Sequence, residues 1–220
     1  MKITEIIEPQ EVEKKSYRDF NPDISRQTQA SIELDRDNYG RYAKGTPDRK
    51  DPLTFRKTPH QPSKLEQDAY YQYVKAAAPL MKSNPYFPRV YKITVNKDSL
   101  GQTKPSYNLE TLHPNIVNPQ GDQQQIAHEQ QVQALEAVMD RMFVEVPKLQ
   151  TGKSGLGRYL ETIAQEQDYS NVKDPKLVQA LELINSVAEK GSFNWDLHAG
   201  NIAFRLTSFG PQLVLMDPLS

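Results

Sequence analysis

Apolar positions recur along this chain with the spacing of helices in some stretches and of strands in others. The clearest helical stripe begins after Asp174-Pro175, which are favoured residues for the N-cap and first turn of a helix. The same pattern predicts that this helix ends at Gly191. Its apolar face comprises Leu177, Ala180, Leu181, Ile184, Val187 and Ala188. Three further helices are predicted over residues 63–82, 126–145 and 157–165, the first with a capping-box spacing at Ser63-Lys64-Leu65-Glu66.

Strand patterns occupy other parts of the chain. Residues 53–57, 89–95 and 106–112 have the alternation and length of strands. Near the C-terminus, residues 202–206 and 213–216 flank a turn-forming segment at 207–211, which predicts a β-hairpin. Because a hairpin returns the chain to its start, the residues on either side of it lie about 5 Å apart. Asn201 and Asp217 are therefore predicted to face one another.

These two residues, together with Asp196, indicate phosphate chemistry. An amide oxygen and a carboxylate are hard donors of the kind that Mg²⁺ takes from proteins, while water and phosphate fill its other positions. Asp196 lies across a short loop in which Gly200 permits a tight curl, so its carboxylate is placed to accept a proton from a hydroxyl nucleophile or to orient that hydroxyl. A metal site and a base, without a covalent nucleophile, are what phosphoryl transfer requires.

Composition adds mainly exclusions. The chain has 220 residues, which suits one domain or one two-lobed domain. A net charge of −1 gives no case for binding nucleic acid or a membrane surface. No apolar run has the length of a membrane span, and the N-terminus lacks a signal-peptide pattern, so cytoplasmic localisation is the expectation. With no cysteine, the chain has neither a disulfide framework nor a thiol nucleophile.

The segment Asp196-Leu197-His198-Ala199-Gly200-Asn201 resembles the catalytic loop of the protein-kinase-like superfamily, in the form seen in small-molecule and antibiotic kinases. Asp217 matches the metal-binding Asp of the Asp-Phe-Gly motif of that family. The closer resemblance is to the minimal kinase-like proteins of tailed bacteriophages, where such a loop is followed by a hairpin and Asp-Pro. The resemblance implies ATP and Mg²⁺ as cofactors, with Asp196 as the catalytic base and Asn201 and Asp217 as metal ligands.

The resemblance also implies a two-lobed α+β fold. Residues 1–29, polar apart from a few isoleucines, are expected to form an extension that is partly disordered or lies across the body, with residues 1–8 as a frayed tail or a short docking helix. Residues 30–114 would form an N-lobe with a small antiparallel sheet and a helix. Residues 115–220 would form a truncated, mainly helical C-lobe that ends at the metal-binding Asp. Strand one is expected at 31–34, and 38–45 would supply the turn and strand over the nucleotide, with Gly40 near the phosphates; an ordinary hairpin is the alternative.

In the resembling family, a lysine on the third strand binds the α- and β-phosphates. Lys57 is assigned this role because it shares a strand face with Leu53 and Phe55, and Arg56 competes if the register slips by one residue. The glutamate that pairs with this lysine is expected on the following helix. Glu66 is the first candidate, although a capping-box role competes with that pairing, and Asp68 is the second.

Three functions remain open on the sequence. The first is an ATP- and Mg²⁺-dependent phosphotransferase. The second is a pseudokinase that acts by binding a host or phage protein, and the third is a virion-associated structural protein that has kept the fold. Ser220 lies three residues past Asp217, so neither an activation segment nor an Ala-Pro-Glu motif is expected after that Asp. Trp195 stands where regulated protein kinases have an arginine, and control by activation-loop phosphorylation is therefore not expected.

Overall fold

The structure, a computed structural model, describes residues 3–5, 43–47, 54–59, 64–97, 102–114, 135–149, 155–208 and 210–220. These residues form an α+β protein with antiparallel sheets and several helices. The chain divides into two compact units. Unit 1 comprises Met1–Asp68 and Arg89–Thr111, and unit 2 comprises Ala69–Pro88 and Leu112–Ser220. No helix within the described ranges has the length and apolar character required to cross a membrane.

Unit 1 is built on a five-stranded antiparallel sheet. Its strands are β1 (Ile3–Glu5), β2 (Ala43–Pro47), β3 (Thr54–Pro59), β4 (Val90–Lys97) and β5 (Thr103–Glu110). They lie in the order β1-β4-β5-β3-β2. In β5, every second residue from Thr103 to Leu109 is buried, as expected for a strand with one face against a core.

The first strand departs from the sequence prediction. Ile3–Glu5 pairs antiparallel with β4, placing Ile3 opposite Val95, so the alternatives of a frayed tail or a docking helix are wrong for these residues. The physical reason is that β4 presents unpaired backbone groups at the sheet edge, which three extended residues can satisfy. The strand expected at 31–34 and Gly40 both lie outside the described residues.

The predicted helix over 63–82 is shorter than expected. The α-helix α1 covers Ala69–Ala77, with 3₁₀ turns at Leu65–Gln67 before it and Ala78–Leu80 after it. Asp68 has an extended backbone (φ −89°, ψ 103°), which interrupts the i to i−4 hydrogen bonds of a continuous helix. The N-cap of the first turn is Lys64 and carries no side-chain cap, so the predicted capping box is wrong.

The described residues of unit 2 include three more helices: α2 (residues 135–142), α3 (Gly155–Glu166) and α4 (Pro175–Gly191). The prediction for α4 is confirmed, since it begins at Pro175, ends at Gly191 and buries all six residues of its apolar stripe. The helix predicted over 126–145 ends three residues early, because Phe143 leaves the helix to form a β-bridge with Val172. Residues 126–134 lie outside the described ranges.

A three-stranded sheet completes unit 2. It consists of β6 (His113–Pro114), β7 (Ile202–Thr207) and β8 (Gly210–Leu215), in that order. The β7–β8 hairpin confirms the predicted strand pair, with a tighter turn than the expected 207–211. Thr207 pairs directly with Gly210, whose φ of 97° is one that glycine adopts without strain.

The boundary between the units follows Thr111, three residues before the boundary predicted after residue 114. The helix α1, which the resemblance would assign to the N-lobe, groups with unit 2. It does so because its buried face packs on α4.

Asp174 links the start of α4 to the turn that follows α1. One carboxylate oxygen accepts the Lys176 amide at 2.9 Å and caps the helix. The other accepts the Tyr86 hydroxyl at 2.7 Å. Burial, and then the bond to Asp174, raise the pKa of Tyr86, so this phenol remains a donor. The same turn is also held by Asn84, whose side-chain amide donates to the Lys176 carbonyl at 2.7 Å.

Asp174→Ala is therefore expected to lower the free energy of unfolding by about 2 kcal/mol. Loss of an N-cap costs about 1 kcal/mol, and weakening the bonding of a buried hydroxyl costs about 1 kcal/mol or more. Denaturant unfolding of Asp174→Ala, Tyr86→Phe and the double variant measures the two contributions. A double-variant loss equal to the sum of the single losses would show that the two side chains are not coupled.

Candidate functional site

The loop that carries Asp196 is tied by its backbone to the chain after β8. Asn194 and Ser220 exchange two hydrogen bonds, each of 2.9 Å. Trp195 forms an antiparallel β-bridge with Leu219, and the Asp196 amide donates to the Pro218 carbonyl at 2.9 Å. The loop is thus fixed as a short antiparallel pair with the residues that follow Asp217.

Inside the loop, the carbonyl of Asp196 organises the turn. It accepts the His198 amide at 3.0 Å and the side-chain amide of Asn201 at 2.6 Å. A short 3₁₀ turn, Ala199–Asn201, then leads into β7. Because the nitrogen of the Asn201 side chain is held on the Asp196 carbonyl, its Oδ1 points the other way. Asn201 is therefore oriented to offer an oxygen, which is the donor that a hard cation prefers.

The register of the hairpin corrects one prediction. Ile202 pairs with Leu215, and the Met216 amide donates to the Asn201 carbonyl at 2.8 Å. The residue opposite Asn201 is therefore Met216, and Asp217 lies one position beyond. The predicted pairing is wrong by one residue because β8 ends at Leu215, whereas the apolar pattern continues through Met216. Asn201 and Asp217 nevertheless lie at the same end of the hairpin.

Tyr73 in α1 fixes the end of β8. Its ring is fully buried, and its hydroxyl donates to the Leu215 carbonyl at 2.6 Å. The Leu215 amide in turn donates to the Tyr86 carbonyl at 2.9 Å. Burial, and then the negative charge of Asp217, raise the pKa of Tyr73 well above its usual value.

The Asp196 carboxylate is accessible, with 37% of its side chain exposed. His198 lies beside it, with Nε2 at 3.8 Å from Oδ1, which exceeds hydrogen-bond distance. The other ring nitrogen, Nδ1, accepts the Gly200 amide at 3.0 Å. A neutral His198 therefore carries its proton on Nε2, facing Asp196. The exposed Asp196 carboxylate can therefore still accept a hydrogen bond from a hydroxyl group.

Sequence reasoning missed the contribution of Gly157 in α3. A Cβ built at this position would lie 1.8 Å from the Leu197 carbonyl oxygen, so helix and loop backbones are in direct contact. Leu197 itself is buried. The predicted helix began at residue 157, whereas α3 begins at Gly155 and places Gly157 inside the helix, where a glycine often has a packing reason.

The remaining predicted residues lie in unit 1. Lys57 is half-buried in β3 and pairs with the buried Tyr107, so the two share a face of the sheet, whereas Arg56 is exposed on the other face. This register favours Lys57 over Arg56 as the inward residue. Glu66 is exposed on the 3₁₀ turn and Asp68 is half-buried. Which of them pairs with Lys57 stays a prediction.

No family model, curated protein or solved structure matches this chain. Among the described residues, no group of three or more His, Cys, Asp or Glu side chains could hold a metal ion. The oxygen donors near the loop are the carboxylates of Asp196 and Asp217 and the amide oxygen of Asn201. Such a sparse oxygen set suits Mg²⁺, which binds through one or two carboxylates and keeps several waters.

Proposed function

We propose that this chain is an ATP- and Mg²⁺-dependent phosphotransferase with a two-lobed protein-kinase-like fold. Unit 1 would correspond to the N-lobe and unit 2 to the C-lobe. The observation that carries the proposal is how Asn201 is held in unit 2. Its side-chain amide donates to the Asp196 carbonyl, and its own carbonyl accepts the amide of Met216, the residue before Asp217. An accessible carboxylate, an oriented amide and a second carboxylate thus lie at the same end of the hairpin, which supports the proposal.

In this proposal the residues divide the chemistry between them. Asn201 and Asp217 hold Mg²⁺, which supplies charge neutralisation at the phosphate oxygens. Asp196 orients the acceptor hydroxyl and takes its proton as the hydroxyl oxygen bonds to the γ-phosphorus of ATP. The bond from that phosphorus to the bridging oxygen breaks and ADP leaves. The loop's backbone bonds keep Asp196 in place, so that catalysis depends mainly on positioning.

The roles of Lys57 and Gly40 rest on the family resemblance. Lys57 would stabilise the α- and β-phosphates, and its place on the face shared with Tyr107 supports this assignment. Gly40 lies outside the described residues, and its proposed role near the phosphates stays a prediction.

A second candidate is a catalytically inactive kinase-fold protein that binds a host or phage protein. One observation favours it: Glu66 is exposed on a 3₁₀ turn outside α1, whereas the resembling enzymes carry their lysine-pairing glutamate on a helix. The two candidates differ in whether the chain binds nucleotide in a metal-dependent way.

The test is the thermal shift of the full chain with ATP, measured with Mg²⁺ and again with EDTA. Ligand at 100 times its dissociation constant stabilises a protein by about 2.7 kcal/mol, which gives a shift of several degrees. We expect a saturable shift that requires Mg²⁺ and disappears in Asp217→Ala. Asp168→Ala, which removes an exposed carboxylate outside the loop, is the matched control and should keep the shift.

Trp195 supplies an independent readout of the same titration. It is the only tryptophan in the chain and lies next to Asp196, so its fluorescence reports directly on the loop. If millimolar ATP changes neither the melting temperature nor the Trp195 fluorescence, the phosphotransferase proposal is rejected and the inactive binding protein is favoured.

A further inference from the structure

The hydrogen bond from Tyr73 to Leu215 joins residues that are 142 positions apart in the chain. Leu215 is the last residue of β8 and precedes Asp217 by two positions. Both of its backbone polar groups are held by other parts of unit 2, the carbonyl by the Tyr73 hydroxyl and the amide by the Tyr86 carbonyl. These two hydrogen bonds fix the Leu215 peptide groups and therefore the direction in which the chain leaves β8.

The ring of Tyr73 is itself held in place. It is fully buried and packs against Tyr70 and Phe87, with ring centroids 6.1 Å away in each case. A buried hydroxyl with this packing has few alternative positions. Its hydrogen bond to the Leu215 carbonyl therefore holds the end of β8 at a fixed distance from α1. Burial, and then the charge of Asp217, raise the pKa of this phenol, so that it stays protonated and keeps donating to Leu215.

We propose that Tyr73 is a positioning residue for Asp217, acting through the carbonyl of Leu215. This inference rests on the proposed function, because it assigns Asp217 to Mg²⁺. The Tyr73 hydroxyl does not touch metal or nucleotide. It fixes the backbone from which the ligand projects, and it makes the geometry of the metal site depend on the position of α1.

The test is Tyr73→Phe in the full chain, which removes the hydroxyl and keeps the ring packing. Mn²⁺ serves as the probe, and its binding in the presence of ATP is measured by electron paramagnetic resonance. We expect the apparent dissociation constant for Mn²⁺ to rise about tenfold, as on loss of a group that orients a metal ligand. In an activity assay, the Mg²⁺ concentration giving half-maximal rate should rise more than kcat falls.

Tyr86→Phe is the matched control. It also removes a buried phenol hydroxyl, but one that bonds Asp174 at the start of α4, and it leaves the Tyr86 carbonyl on Leu215 intact. Its thermal stability should fall while its Mn²⁺ affinity stays at the wild-type value. Equal Mn²⁺ affinity in Tyr73→Phe and Tyr86→Phe would overturn the positioning role and leave the proposed function standing.

Failure of the wild-type chain to bind Mn²⁺ with ATP would instead remove the proposed function, and the positioning role with it. Should Tyr73→Phe not fold, tyrosine labelled with ¹³C at Cζ allows the test in the wild type. The Tyr73 signal is expected to move when Mg²⁺ and ATP are added, because its hydroxyl bonds the Leu215 carbonyl two residues before Asp217, while the Tyr86 signal stays. A Tyr73 signal that does not move would refute the inference.

Discussion

Gly157→Ala is expected to destabilise the protein, although alanine is a better helix former than glycine. In an exposed helix this change would stabilise by about 1 kcal/mol. Here the new methyl group would meet the Leu197 carbonyl oxygen at 1.8 Å and the carbonyl carbon at 2.8 Å. Both are backbone atoms of a buried residue and cannot rotate away, so α3 and the loop must separate. Overpacking of this kind costs about 1–3 kcal/mol.

Denaturant unfolding followed by Trp195 fluorescence measures this loss, because the tryptophan lies in the displaced loop. Gly155→Ala, two residues earlier in the same helix and half-buried, is the matched control. It should unfold at the wild-type midpoint or above it. We also expect Gly157→Ala to weaken the metal-dependent nucleotide shift, since Asp196 and Asn201 lie in the displaced loop. Wild-type stability in Gly157→Ala would contradict the close contact between α3 and Leu197.

Asp196→Asn is expected to have the largest effect on phosphoryl transfer. Asparagine has the same shape as aspartate but cannot take a proton from the acceptor hydroxyl, and loss of a general base costs about 10²–10⁴ in rate. The structural bonds at this position come from its backbone, whose carbonyl accepts His198 and Asn201. The substitution therefore separates chemistry from folding.

Transfer of labelled γ-phosphate from ATP, into a cell lysate and into the chain itself, measures the effect. Asp196→Asn should retain the Mg²⁺-dependent thermal shift while it loses transfer, whereas Asp217→Ala should lose both. Asp168→Asn controls for removal of one negative charge from unit 2. Transfer by Asp196→Asn at the wild-type rate would exclude Asp196 as the base.

Local patterns in the sequence were sufficient for the helix and hairpin that lead into and out of the loop. The Asp174-Pro175 start, the apolar stripe of α4 and its end at Gly191 all follow from interactions within a few residues. The hairpin after Asn201 follows in the same way from strand propensity and turn residues. Such features need no knowledge of what the elements pack against, because caps, turns and periodicity act at short range.

Three predictions of local structure were wrong. Asp68 ends the 3₁₀ turn with an extended backbone where helix propensity favoured continuation, and Ile3–Glu5 pairs with a strand some ninety residues away. The residue opposite Asn201 differs by one from the prediction, because β8 ends at Leu215 whereas the apolar pattern continues through Met216. The strand at Ile3–Glu5 is decided by a partner that is distant in sequence, which local patterns do not reveal.

The sequence by itself determined which residues carry the proposed chemistry and that a helix and a hairpin enclose them. Only the tertiary structure decided how these residues are held: Asn201 opposite Met216, the Leu215 carbonyl bonded by Tyr73, and Gly157 against the backbone of Leu197. The physical reason is that periodicity specifies which face of an element is buried, whereas the atoms that meet that face come from elsewhere in the chain.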